Sequence, residues 1–485
     1  MPARHRAASW WETLTRGRDS DLWYVLPGLG LALLFTLRMM RKMPVVPVQT
    51  GDSAAYLAMA EFRPPLYGWL VNSWVMATGG IANIAVPQLI LLGCAVAVFA
   101  IELGRLLRTP LLSALAVPAI LLHTAIYDSS GWLLTESPYA ALTLLGLAMQ
   151  FRYARRGDLA PLLLAAAIFG LSTLLRSTGA AFLPLPLLAV LFDRRFRLPA
   201  AFGRTAMAAL VAGGVVASGM GWTWLKNGHF ELGSWAGISL LGKSLVLLEP
   251  EDAATLPPAV SASLQAAADA RRLIAEQPDI AARMRAQIQS SGDVRFPGFW
   301  RAAKRDWPEW QQASDREKDL LARAIDKQLI AAHPHGYLEL WARDWLALII
   351  MPSYWPAWAT TVPEDWSVFA FCRELDSCWG LERYDLPFHA RLLLIGASVF
   401  GAILAVALIP LLAWRVLTRR ADPATVLVWG VAMLLHGSLI ITSAVEAGHV
   451  RYTVALHILD ITMLSWLLLR LLPGLGRPAA VEARA

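Results

Sequence analysis

Long apolar runs separated by short polar breaks fill most of the chain. Runs over 22–40, 84–104, 109–126, 132–151, 159–175, 179–193, 203–225, 390–414, 424–443 and 452–472 each read as a helix at or near the length that crosses a bilayer. Several fall short of a full span, so some helices tilt, break or stop midway. The stretch 226–389 behaves differently. It is more polar, and 259–276, 280–290 and 314–333 within it carry helical periodicity with charged faces. The run 337–350 is apolar but broken by Glu339, Arg343 and Asp344, which fits a helix lying in the interface or re-entering it. The pattern predicts an all-α polytopic membrane protein of about ten to thirteen helices. It divides into an N-terminal transmembrane module (1–225), an external, mostly helical insertion with interfacial segments (226–389) and C-terminal transmembrane helices (390–485).

Composition agrees with that pattern. With 56% hydrophobic and 16% charged residues the chain is too apolar for an ordinary soluble protein. The net charge of +7 comes mostly from Arg at the ends of runs, where it sets orientation; nothing points to nucleic acid. Arg4, Arg6, Arg16 and Arg18 precede the first run, which lacks a small-residue cleavage site and reads as a retained helix. Arg105 and Arg108, Arg152 to Arg156, Arg194 to Arg197, Arg415 to Arg420 and Arg470 to Arg484 follow the same parity. Both termini are therefore expected in the cytoplasm. The polar pieces at 50–67, 127–131, Arg176 and 446–451 are expected together on the outer face. Trp300, Trp307, Trp310, Trp341, Trp345, Trp355, Trp358 and Trp366 crowd the insertion, as interfacial tryptophans or as sugar and lipid contacts. Cys372 and Cys378 are expected to pair if their loop is external, while Cys94 lies in a span.

Asp52, Tyr56 and the corner from Arg63 to Tyr67 follow the first run. Leu134 to Pro138, Leu175 to Gly179 and Val450 to Tyr452 come later. In order and placement between apolar runs this set resembles the membrane-embedded glycosyltransferases of the GT-C class, and within it the aminoarabinose and protein mannosyltransferase types. One departure is Ser53, where many members carry a second acid. The resemblance implies transfer of a sugar from a polyprenyl-phosphate donor to a lipid, glycan or protein acceptor, at the outer face of a bacterial inner membrane.

Such a reaction needs a base for the incoming nucleophile and positive charge for the departing phosphate. Asp52 is the expected base, an N-cap being its plainer role. Asp128 is the expected second acid, and the two would hold any divalent cation, Mg²⁺ or Mn²⁺. Glu136 orients or caps. Arg176, His449, Arg451 and Lys243 are the expected phosphate groups. Arg176 has snorkelling, and Arg451 an ion pair with Glu446, as alternatives. Tyr56, Arg63, Tyr67, Glu446 and Tyr452 complete the expected substrate contacts. Gly237 to Ser244 matches a phosphate-binding loop letter by letter, but no strand and α/β context surround it. His333 and His335 lack the spacing of a metal pair. A glycolipid transporter or flippase, and a ligase or polymerase using a diphosphate-linked oligosaccharide, are the competing functions.

Overall fold

The computed structural model describes residues 21–49, 51–123, 126, 129–233, 235–351, 388–446 and 456–471. In chain order the helices are α1 (Leu22–Met40), α2 (Gly51–Leu57), α3 (Pro65–Thr78), α4 (Ala85–Leu107), α5 (Pro110–Leu121), α6 (Glu136–Arg156), α7 (Leu159–Leu175), α8 (Pro184–Leu191), α9 (Leu198–Asn227), α10 (Ala236–Ser244), α11 (Leu264–Ala275), α12 (Ile280–Asp293), α13 (Asp315–Ala332), α14 (Pro334–Ile350), α15 (Phe388–Leu417), α16 (Pro423–Val445) and α17 (His457–Leu471), joined by shorter turns. Among the described residues, five helices are long and apolar enough to cross a membrane: α1, α4, α9, α15 and α16. The protein is an all-α polytopic membrane protein. Helices α1 and α7 have the bounds that the apolar pattern predicts.

Helix α3 is the element that pattern does not predict. Pro64 holds an extended backbone and Pro65 occupies the first helical turn, where a missing N–H costs nothing. The helix ends at Gly79, whose φ of 80° suits glycine. It packs on α7 and α9 and buries Tyr67, Gly68 and Val71.

Two cores form. The larger joins the apolar faces of α4, α6, α16 and α17, with Leu92, Phe99, Leu144, Leu435 and Leu459 inside. A second core lies within the insertion, built on Ile238, Leu241, Phe299, Trp310 and Leu329. Helix α14 belongs to both: Leu340 packs in the insertion core, Leu348 and Ile349 in the bundle core. Trp307 and Trp310 depart from the interfacial reading of this region. They are buried and stack on each other at 5.5 Å, with Phe299 edge-on to Trp310 at 5.1 Å, filling the insertion core.

The Arg-rich connections gather at one end of the bundle. Arg105 and Arg155 both pair with Glu102, at 2.8 and 3.0 Å. Arg195 pairs with Asp193 at 2.7 Å, and Arg204 donates to the Gly157 carbonyl at 2.7 Å. Arg419 donates to the carbonyls of Asp193 and Phe196, at 2.5 and 2.7 Å. The termini of the helices carrying 48–63, 129–136 and Arg176 lie at their opposite ends. If the Arg end faces the cytoplasm, cysteines introduced at Ala58 and Ser314 label with impermeant maleimide in intact cells and one at Thr418 does not. Ala58 is an exposed position, whereas Ser53 is fully buried and unsuited to a probe. Labelling at Thr418 with none at Ala58 reverses the orientation.

Inside the insertion core Asp326 accepts from the Ser244 hydroxyl at 2.6 Å. Burial pushes its carboxyl up to about 8, with nearby Asp319 adding to the rise and the Ser244 bond and Arg323 opposing it. Folding favours the protonated form, so its contribution is whole below the ordinary value of 3.8 and is lost as pH rises through about 8. The melting temperature is expected to fall from about pH 5 to about pH 9, and Asp326→Asn to flatten that slope. An equal slope in the variant removes Asp326 as its source.

Candidate active site

A short parallel bridge brings the loop after α1 to the loop before α6: Val48 donates to the Gly131 carbonyl at 3.0 Å, and Leu133 donates back to Val48 at 2.9 Å. Ser53, buried in α2, donates to the Leu133 carbonyl at 2.9 Å. The residue standing where a second acid was expected thus ties the two loops together.

Asp52 lies in the first turn of α2 and forms an ion pair with Arg63, each side chain about one-fifth to one-quarter exposed (24% and 20%). The Arg63 guanidinium lies 5.1 Å from the centre of the Tyr56 ring, a cation–π distance. The Tyr56 hydroxyl reaches Thr135 Oγ1 at 3.5 Å, and Thr135 in turn donates to Glu136 Oε2 at 3.5 Å, both at the long limit of hydrogen bonding. Glu136 is fully buried at the start of α6 and accepts from Arg176 Nη1 at 2.9 Å. Arg176 is where α7 ends: its φ of −153° leaves the helix, and the chain turns through Ser177–Phe182. Asp52, Arg63, Tyr56, Thr135, Glu136 and Arg176 therefore form one continuous polar chain.

Tyr67 stands behind this chain. It meets Tyr56 edge-on at 4.9 Å and accepts from Gln88 Nε2 at 3.1 Å while buried, so it supports Tyr56. A cleft opens beside Arg63, lined also by Tyr56, Glu61, Pro64, Trp222 and Lys226. Lys226, at the end of α9, donates to the Met59 carbonyl at 2.7 Å. Gln88, Trp222 and Lys226 are not among the site residues expected from the sequence, whereas Thr135 falls in the Leu134 to Pro138 motif. For Gln88 the available signal was a lone amide inside an apolar run.

A second polar group stands at the C-terminal end of α16. Lys243 is buried in an ion pair with Asp344 at 2.7 Å, donates to the Ser443 carbonyl, and reaches the Glu446 carbonyl at 3.3 Å. The Lys243 ammonium, expected from the sequence to reach a donor phosphate, is buried and already held by these partners. The Glu446 carboxylate faces Arg295 at 4.0 Å. The turn after Arg176 packs on α16. The residues around Lys243 do not form a phosphate loop, because they lie within α10 itself and the N–H groups of Gly237 and Ile238 are taken by Asp319 Oδ1 at 2.8 and 3.2 Å. Asp128, His449, Arg451, Tyr452, Cys372 and Cys378 lie outside the described residues. Among the described residues no group of three or more His, Cys, Asp or Glu side chains converges as metal ligands.

These features define a polytopic helical membrane protein with a charged, partly open site at one end of its bundle. No protein-family profile matches the chain, and no curated protein does. Among solved structures it is similar to the crystal structure of ArnT from Cupriavidus metallidurans bound to undecaprenyl phosphate, at 13% identity and a TM-score of 0.32, over 88% of this chain and 78% of that one.

Glu136→Gln removes the counter-charge of a buried guanidinium and is expected to cost about 3–5 kcal/mol of stability. The double variant Glu136→Gln/Arg176→Met leaves no unpaired charge and is expected to recover most of that loss. Thermal melts in detergent read both. A single variant as stable as the parent shows that the pair does not hold the site.

Proposed function

We propose that the protein transfers a sugar from a polyprenyl-phosphate donor to an acceptor at the outer face of a bacterial inner membrane. The observation that carries this reading is the polar chain from Asp52 to Arg176, which sets two carboxylates and two guanidiniums side by side at the bundle end opposite the Arg-rich connections. Both halves of the chemistry are represented there. The acceptor oxygen forms a bond to the anomeric carbon as the bond from that carbon to the phosphate oxygen breaks. The acceptor's proton passes to Asp52, and the phosphate leaves with the bonding electrons.

Arg63 has a double part in this scheme. In the structure it holds Asp52; a donor phosphate competes for the same guanidinium, whose planar fork suits phosphate oxygens, and frees the carboxylate to take a proton. Arg176, held by Glu136 and 11% exposed, supplies further charge to the leaving group, with His449 and Arg451 proposed to join it. Tyr56 is proposed to position the sugar. The acceptor class, lipid, glycan or protein, and a divalent cation held by Asp52 and Asp128, belong to the same proposal. Asp52 is paired with Arg63, so no step here runs through a cation.

Asp52→Asn decides the reading. An ion pair this exposed is worth about 0–1 kcal/mol, so the variant is expected to fold and melt like the parent. Loss of a positioned base typically lowers the rate about 10²- to 10⁴-fold, so transfer from a purified polyprenyl-phosphate sugar is expected to drop at least a hundredfold. If more than about a tenth of the transfer survives, Asp52 is not the base.

A further inference from the structure

The insertion grips both sides of the site, and one short helix connects the two grips. On one side Trp235, at the start of α10, stacks on Phe62 at 3.8 Å between ring centres, next to the Arg63 that holds Asp52. The backbone closes here as well. Gly233, at a φ of 83°, approaches the Glu61 and Phe62 backbone so closely that a Cβ would stand 2.7 Å from it. His229 faces Glu61 at 3.6 Å.

On the other side three insertion side chains cap the C-terminal end of α16. The last carbonyls of a helix have no partner within it and must find donors elsewhere. Lys243 donates to the Ser443 and Glu446 carbonyls, Tyr337 to the Ala444 carbonyl at 2.7 Å, and Trp341 to the Ile440 carbonyl at 3.1 Å. Those carbonyls lie in the last turns of α16 and at Glu446, which follows it.

Between Trp235 and Lys243 lie eight helical steps, about 12 Å at 1.5 Å per residue. The helix carrying them has no slack. Asp319 caps its N-terminus, Gly242 lies against the Ser291 carbonyl, and Ser244 is bound to Asp326. The stack on Phe62 continues inward through Trp300 and Trp310, at 5.9 and 5.4 Å ring to ring.

We propose that α10 is a positioning strut that fixes the distance between the Asp52–Arg63 loop and the end of α16, on which the turn after Arg176 packs, with Trp235 and Lys243 as its two contact residues. The proposal rests on the transferase reading for its purpose, though not for its mechanics. Held apart by a rigid spacer, Asp52 on one side and Arg176, through its turn on α16, on the other keep the separation that an in-line transfer needs. Misplacement of about 1 Å can cost about 10²-fold in rate.

The test is a distance. In full-length protein carrying Cys94→Ala, Cys372→Ser and Cys378→Ser, spin labels at Ala58→Cys and Ile441→Cys report the separation of the Asp52–Arg63 loop from the end of α16 by pulsed electron resonance. The strut predicts one narrow distribution in the parent. It predicts a broadened or shifted one in Trp235→Leu and in Lys243→Met/Asp344→Leu, the latter leaving no unpaired buried charge. Trp235→Phe keeps a ring on Phe62 and should restore the parent distribution. In transfer assays Trp235→Leu should lower kcat about tenfold or more with the donor KM little changed, since geometry and not affinity is lost. Unchanged distributions in both end variants overturn the strut, whatever the activity. Broadened distributions in a protein whose parent transfers no sugar support the strut and overturn only the transferase reading.

Discussion

A carboxylate with no exposed surface at the end of an apolar bundle stays ionised only with a cation within hydrogen-bonding distance, and Glu136 has one because α7 stops where it does. Arg176 leaves the helix in an extended conformation. The following turn folds back so tightly that a Cβ on Gly179 would stand 2.5 Å from the Ser172 backbone. A longer α7 would carry the guanidinium past its partner. The pair therefore fixes the start of α6 against the end of α7, and Thr135, Tyr56 and Arg63 take their places from it in turn.

The same constraint recurs on the far side of the site. Lys243 and Asp344 are both almost fully buried, and neither charge would be tolerable alone. Such pairs add little net stability, because desolvation offsets most of the attraction; what they impose is register. Here the register is between α10 in the insertion and α14, which runs from the insertion core into the bundle core. An insertion joined to the bundle by apolar contact alone has many docking positions of similar energy. One buried ion pair and three donors on the end of α16 select among them.

This explains how much could be read from the sequence. The helices of the bundle were legible because lipid demands continuous apolar runs, and the ends of α1 and α7 follow directly from where those runs stop. Asp52, Arg63, Glu136 and Arg176 were legible as residues, since charge beside an apolar run needs a reason. Their pairing was not. Asp52 and Arg63 are 11 positions apart and Glu136 and Arg176 are 40 apart, separations that carry no periodic signal. Helix α3 escaped notice because it is buried on one side only, so its residues never form an unbroken apolar run. Trp307 and Trp310 misled for a related reason: the ring that suits a membrane interface also fills a core, and composition does not distinguish them.

The letters from Gly237 to Ser244 carry that point further. Each of the four residues that define the apparent phosphate loop has a separate packing cause. Gly237 lies where a Cβ would strike the Asp319 carbonyl, and Gly242 where it would press on Ser291. Lys243 answers a buried acid, and Ser244 satisfies another. A phosphate loop spends its glycines on backbone that approaches a ligand; here they are spent on helices that approach each other. With the Lys243 ammonium committed to Asp344 and to helix carbonyls, the charge proposed to meet a departing phosphate falls to Arg63 and Arg176 among the described residues. Arg63 is held by Asp52 in a partly open position, from which a more strongly charged ligand can draw it, while Arg176 stays on the buried Glu136 and adds its charge from there.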